Sequence, residues 1–237
     1  MQIKEVMLFA YDFPHKKTQD FLLQLLSQGY KVKYVIAAPW EKLNIPASSI
    51  HTSCSHSNLI HRKKLCALHG IKYITSKHNS QKTIQYLKDN PVQLYIISGA
   101  RILKANVITA CHDKVLNIHP GLLPECRGLD TLLWSIYKDI PIGMCAHFIS
   151  KKIDCGNFIH QKLLILKEDD TIFDVSLRLL EEQSNFLIEA IKILKSDFQT
   201  KNLDTLKVKY HSKMPPELEV ETLKKLPKWL KKHSKQQ

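Results

Sequence analysis

Much is missing from this chain of 237 residues. No apolar run approaches the roughly 20 residues needed to cross a bilayer, so no membrane-spanning helix is expected. None of the six cysteines (Cys54, Cys66, Cys111, Cys126, Cys145, Cys155) forms a Cys-x-x-Cys pair, and they read as reduced thiols. His51, Cys54 and His56 match no standard zinc spacing, and no metal site is expected. There is no internal repeat, no zinc-finger spacing and no basic stretch interleaved with aromatics, which speaks against nucleic acid as partner. The first ten residues contain Lys4 and Glu5 and no small-residue cleavage site follows, so they read as a strand rather than a leader, with a cytoplasmic location expected. Glycine is scarce, seven in all, and absent from Tyr11 to Lys17, where a backbone cradle for an anion would need it.

What is present is a sizeable apolar fraction, 44%, and a surplus of positive charge, +13. The first is enough for one large α/β domain, alone or with a small appendage. The second favours anionic partners: nucleic acid, a nucleotide diphosphate or a polyglutamylated folate.

Strand-like and helix-like patterns alternate. Strands are expected over 3–10, 31–38, 71–74, 92–98, 114–118, 142–149 and 157–166. Helices are expected over 18–28, 58–69, 80–88, 105–111 and 128–138, and from Thr171, which with Asp174 forms a capping box, to about Leu194. Such alternation predicts a mostly parallel, Rossmann-like sheet with helices on both faces. Residues 1–195 are expected to form the main domain and 196–237 a basic appendage, since 201–237 carry ten lysines against four acidic residues. Within it, Lys224 to Lys232 around Leu226, Trp229 and Leu230 suggest a small amphipathic helix. It would dock on the core, join a second copy in a homodimer, or meet an acidic ligand.

The most informative stretch is Asn117-Ile118-His119-Pro120-Gly121-Leu122-Leu123-Pro124-Glu125-Cys126-Arg127-Gly128. It leaves an apolar strand, and side chains alternate along a strand, so Asn117 and His119 share a face while Ile118 points away. An amide donor beside an imidazole, stiffened by Pro120, suits a carbonyl oxygen that becomes an oxyanion.

This stretch, with the 143–147 segment and Ile153-Asp154-Cys155-Gly156 in order, resembles the formyltransferases that use N10-formyltetrahydrofolate, over roughly residues 92–195. The resemblance implies a formyltransferase fold, N10-formyltetrahydrofolate as co-substrate and no metal. It implies three catalytic residues. Asn117 would donate to the formyl oxygen, worth about 3–4 kcal/mol in the transition state. His119 would stabilise the oxyanion or take the acceptor's proton. Asp154 would orient the ring and pass protons through a water. Ser98, Gly99, Ala100, Arg101 and Ile102, with Ile149, Ile153 and Gly156, would line the folate pocket, and His147 matches a recurrent family histidine near the site.

The acceptor is read largely by elimination. Glycinamide ribonucleotide transformylases have a Gly-rich loop after the first strand, where this chain has only His15, Lys16 and Lys17 to hold a phosphate. Methionyl-tRNA formyltransferases usually add a C-terminal β-barrel of about a hundred residues, an ordinary domain size. Folate deformylases share the Asn-His-Asp set and add a regulatory domain. The outline is most similar to the sugar-nucleotide N-formyltransferases, which often serve surface polysaccharide (lipopolysaccharide O-antigen) synthesis. Acceptor contacts are expected from Tyr11, Lys16, Lys17, Pro120, Gly121, Arg127 and Trp134, with Tyr11, Trp40 or Trp134 stacking on a base. A glycinamide ribonucleotide or methionyl-tRNA enzyme is the alternative within the family, and a non-catalytic basic nucleotide- or RNA-binding module the alternative outside it.

Overall fold

The computed structural model describes residues 2–42, 48, 59–154, 156–196, 198–202 and 208–236. His51, Cys54, His56 and Cys155 lie outside the described residues, and with them the spacing weighed for a metal.

β1 (Glu5–Tyr11), β2 (Lys31–Ala38), β3 (Lys72–Thr75), β4 (Leu94–Ile97) and β5 (Val115–His119) form the parallel half of one sheet; β6 (Gly143–Ile149), β7 (Gly156–Leu163) and the two-residue β8 (Lys201–Asn202) continue it antiparallel, in the order β3-β2-β1-β4-β5-β6-β7-β8. The inner strands read as unbroken apolar runs because both faces are covered; Val6 to Ala10 and Leu94 to Ile96 are all buried. β1 neighbours both β2 and β4, so the connections leave it in opposite directions. The crevice beyond the carboxyl ends of β1 and β4 is therefore where this kind of sheet binds ligands.

On one face, α1 (Lys16–Ser27) and α6 (Ile172–Lys195) bury Phe21, Leu22, Leu25, Phe186, Leu187 and Ile191 against Leu8, Ile96 and Ile118. On the other, α3 (Gln81–Asp89) and α4 (Ala105–Ala110) pack Ile84, Leu87, Val107 and Ile108 on Phe9, Tyr95 and Val115. Each such side chain contributes roughly 1.5–3 kcal/mol by leaving water. α2 (Arg62–Leu68) packs beside β3 and buries Leu65 and Cys66 in the core on the α1 face. The expected capping box opens α6: the Asp174 N–H donates to Thr171 Oγ1 at 3.2 Å, and the Thr171 N–H to Asp174 Oδ2 at 2.8 Å.

Several bounds move, α2 beginning at Arg62 and β7 ending at Leu163 among them, and two of the changes bear on the site. α5 (Thr131–Lys138) starts three residues later than Gly128, because Gly128 (φ 110°) and Asp130 (φ 49°) are in left-handed backbone that cannot continue a helix. The amphipathic helix of the appendage is twice the length expected: α7 runs Pro216–His233, with a proline in its first turn and Pro227 inside. It docks on α5. Trp229 is buried, its indole donates to the Ile140 carbonyl at 2.8 Å, and Lys232 and His233 hold Asp139 at 2.6 and 3.1 Å. No helix among the described residues is long and apolar enough to cross a membrane.

Candidate active site

β5 delivers Asn117 and His119 to one side of the sheet's carboxyl edge. Antiparallel pairing sets His147 opposite Asn117, and the Asn117 amide donates to His147 Nε2 at 3.2 Å. His119 is 4% exposed, so both of its nitrogens need partners. Nε2 donates to the Cys126 carbonyl at 2.6 Å, and Nδ1 lies 3.5 Å from Asp154 Oδ1. A carbonyl only accepts, so the Nε2 hydrogen is fixed and Nδ1 is the nitrogen that can take up and release a proton.

Asp154 arrives on the β6–β7 hairpin. Its backbone is left-handed (φ 48°), a conformation aspartate tolerates better than most residues. Gly156 closes the hairpin at φ 118°, where any side chain would collide with the Phe148 carbonyl oxygen. Asp154 Oδ2 accepts the Gly128 backbone N–H at 2.7 Å, leaving Oδ1 toward the imidazole.

A cleft of about 160 Å3 opens between the 100–103 loop and the 149–154 hairpin, with Asn117 and Asp154 both in its wall. Ala100, Arg101, Ile102, Ile149 and Ile153 line it. Ser98, Gly99 and Gly156 do not; they shape the backbone beneath it. The Ser98 hydroxyl is buried and donates to the Phe9 carbonyl at 2.8 Å. Gly99 lets the loops after β4 and β1 touch, since a Cβ there would stand 2.8 Å from the Tyr11 ring.

The residues expected at the acceptor scatter. Tyr11 stacks on Phe13 with centroids 4.8 Å apart, beside the cleft-forming loop. Lys16 pairs with Asp20 at 2.8 Å. Lys17, partly buried, donates to the Ile118 carbonyl at 2.9 Å between the two site residues of β5, and burial pulls its ammonium down to about 7. Pro120 borders a second cavity, about 480 Å3, between α5 and α6, and its carbonyl accepts from the Thr131 hydroxyl. Gly121 packs against Thr131 and Cys126. Arg127 and Trp134 donate to backbone carbonyls of residues 208–212, because the appendage lies across them. Trp40 stands 66% exposed.

Two groups were not foreseen. The Cys126 carbonyl sets the histidine tautomer, and a backbone atom leaves no trace in a sequence. Tyr210, 38% exposed in the appendage, has its phenol pushed up by partial burial first and by the negative charge of Asp154 second.

Residues 42–191 match the Formyl transferase family model. The chain belongs to that family. It is 31% identical to the methionyl-tRNA formyltransferase of Sulfurihydrogenibium sp. over 136 residues, 56% of this chain and 43% of the relative. It is 28% identical to the phosphoribosylglycinamide formyltransferase of Bacillus subtilis over 116 residues, 48% of this chain and 60% of the relative. The chain thus spans about half the length of the curated relatives it matches. Among solved structures, a sugar N-formyltransferase from Shewanella sp. shares the fold at a TM-score of 0.63 and 18% identity, over 95% of this chain and 88% of that one.

Proposed function

We propose that this family member transfers a formyl group from N10-formyltetrahydrofolate to the amine of a nucleotide-linked amino-deoxy sugar. The observation that carries the transfer chemistry is the convergence of Asn117, Asp154 and, behind Asp154, the His119 ring on one cleft. The cleft's chemistry suits the donor. Its apolar walls, Ala100, Ile102 and Ile149, match a flat ring system, and the Asn117 amide and Asp154 carboxylate supply a hydrogen-bond donor and an acceptor at the end where the formyl carbon would lie. About 160 Å3 is below the 300–1,000 Å3 usual for whole-ligand sites, which suits a ring inside and a tail outside.

The reaction forms a bond from the acceptor nitrogen to the formyl carbon and breaks the bond from that carbon to N10, with one proton passing from the acceptor to N10. Asn117 donates to the carbonyl oxygen as charge develops; fixed on His147, its amide need not reorganise. Asp154 and His119 Nδ1 share the proton in transit, with the Cys126 carbonyl preventing the ring from turning. Proximity supplies much of the remainder.

The absence of glycine from Tyr11 to Lys17 supports a sugar acceptor over glycinamide ribonucleotide. The relatives by sequence favour the second reading, a methionyl-tRNA or glycinamide ribonucleotide acceptor. Incubation with N10-formyltetrahydrofolate and a panel of dTDP-, UDP- and GDP-amino sugars, glycinamide ribonucleotide and methionyl-tRNA decides between them. A gain of one formyl mass on a sugar nucleotide is expected; formylation of either other acceptor alone would reject the sugar. Salt-sensitive RNA binding without turnover would mark a binding module instead.

A further inference from the structure

Resting on that reading, we propose that Arg127, clamped by the 208–214 segment, is a positioning residue for Asp154, so that a strap from the C-terminal appendage sets the carboxylate against the His119 ring. Arg127 and Gly128 grip Ile153 and Asp154 at two points. Arg127 Nη2 donates to the Ile153 carbonyl at 2.7 Å, and the Gly128 N–H donates to Asp154 Oδ2 at 2.7 Å. Two bonds between consecutive residues on each side fix the rotation of the aspartate as well as its distance. One bond would leave it free to swing.

The strap holds the grip from behind. Arg127 Nη1 donates to the Val208 carbonyl at 2.9 Å. The Arg127 carbonyl accepts from the His211 backbone N–H at 2.9 Å and from His211 Nδ1 at 3.1 Å. The Leu129 N–H returns to the His211 carbonyl at 2.9 Å, and the Met214 N–H donates to Asp130 Oδ2 at 2.8 Å. The Trp134 indole donates to the Ser212 carbonyl at 2.9 Å and lies 4.8 Å from the His211 ring. A side chain on Gly128 would collide with the His211 carbonyl, so the strap needs glycine there. Both Nη donations of Arg127 go to neutral carbonyls in two separate segments, the work of a planar fork and not of an anion receptor. Displacement of a catalytic group by about 1 Å costs on the order of 100-fold in rate.

Arg127→Lys keeps the charge but cannot span both carbonyls, and His211→Ala removes the ring from the Arg127 carbonyl without touching the cleft. Turnover with N10-formyltetrahydrofolate and the amino-sugar nucleotide accepted from the dTDP-, UDP- and GDP-linked panel, and amide exchange at Gly128, are measured for both variants and the wild type. The expected result is a kcat lower by at least 10-fold, KM for both substrates within twofold, and Gly128 exchange at least 10-fold faster. A raised acceptor KM with kcat retained would make Arg127 a ligand contact and overturn the proposal, as would wild-type kcat in both variants. If Arg127→Lys does not fold, His211→Ala decides alone. If the wild-type protein formylates no amine, the proposed function fails separately. Gly128 exchange then decides the strap: acceleration keeps the coupling, and unchanged exchange removes it.

Discussion

Asp154 Oδ1 faces His119 Nδ1 at 3.5 Å across a contact that joins a hairpin to a strand 35 residues earlier in the chain. The pair shares one proton-exchanging nitrogen, since the other imidazole nitrogen is committed to the Cys126 carbonyl. Asp154→Asn keeps an oxygen for the Gly128 N–H while removing the charge. Formyl transfer should fall about 10²–10⁴-fold with the melting temperature nearly unchanged. Turnover within threefold of wild type would take Asp154 out of proton transfer.

Asn117→Ala removes the donor that His147 fixes. A loss of about 10²–10³-fold in kcat is expected, the range for one oxyanion donor. The Asn117→Ala/Asp154→Asn double variant should lose much less than the product of the single effects, because both act on one transition state. Full multiplicativity in the rates would show two independent roles.

Lys17 gives the protein a pH signature. Burial lowers its ammonium from the usual value near 10.5 to about 7 in the fold. Between these values the unfolded chain binds the extra proton, so stability rises with pH from about 7 toward 10, and below 7 the charged form is held at a cost. Lys17→Met removes that slope. Relative to wild type, the variant should melt several degrees higher at pH 6.5 than it does at pH 10, whatever the constant cost of leaving the Ile118 carbonyl unbonded. Parallel melting curves across this range would place the ammonium in water.

Trp229 is the anchor of α7, buried at 2% exposure with its indole on the Ile140 carbonyl. Trp229→Ala should cost about 3–5 kcal/mol. At about 2–4 °C per kcal/mol for a chain of this size, thermal unfolding should drop by roughly 10 °C. A shift under 2 °C would mean that α7 unfolds independently of the core.

Most of the sheet was legible because its signals are local. The apolar run ending at Leu116, the alternation that puts Asn117 and His119 on one face, and the Thr171–Asp174 box each lie within a few residues. Asn117 and Asp154, 37 residues apart, were joined only through resemblance, and the structure brings both to one cleft wall. What no local pattern carries is the meeting of Gly128 with His211, or of Trp229 with Ile140. Both depend on where a lysine-rich segment falls after a 24-residue helix, and neither its charge nor its apolar stripe says which surface it meets. Arg127 and Trp134 were read as acceptor contacts for the same reason: an arginine and an indole near a site look available until the segment that occupies them is in place.

Gly156 has a last consequence. Because it permits the tight return from β6 to β7, the carboxylate rides on a tether six residues long while its partner imidazole is built into the sheet. Adding or removing a single residue between Ser150 and Ile153 would move one jaw of this caliper and leave the other untouched. Drift in the length of that tether would retune or silence the chemistry in a protein that still folds, melts and purifies as before.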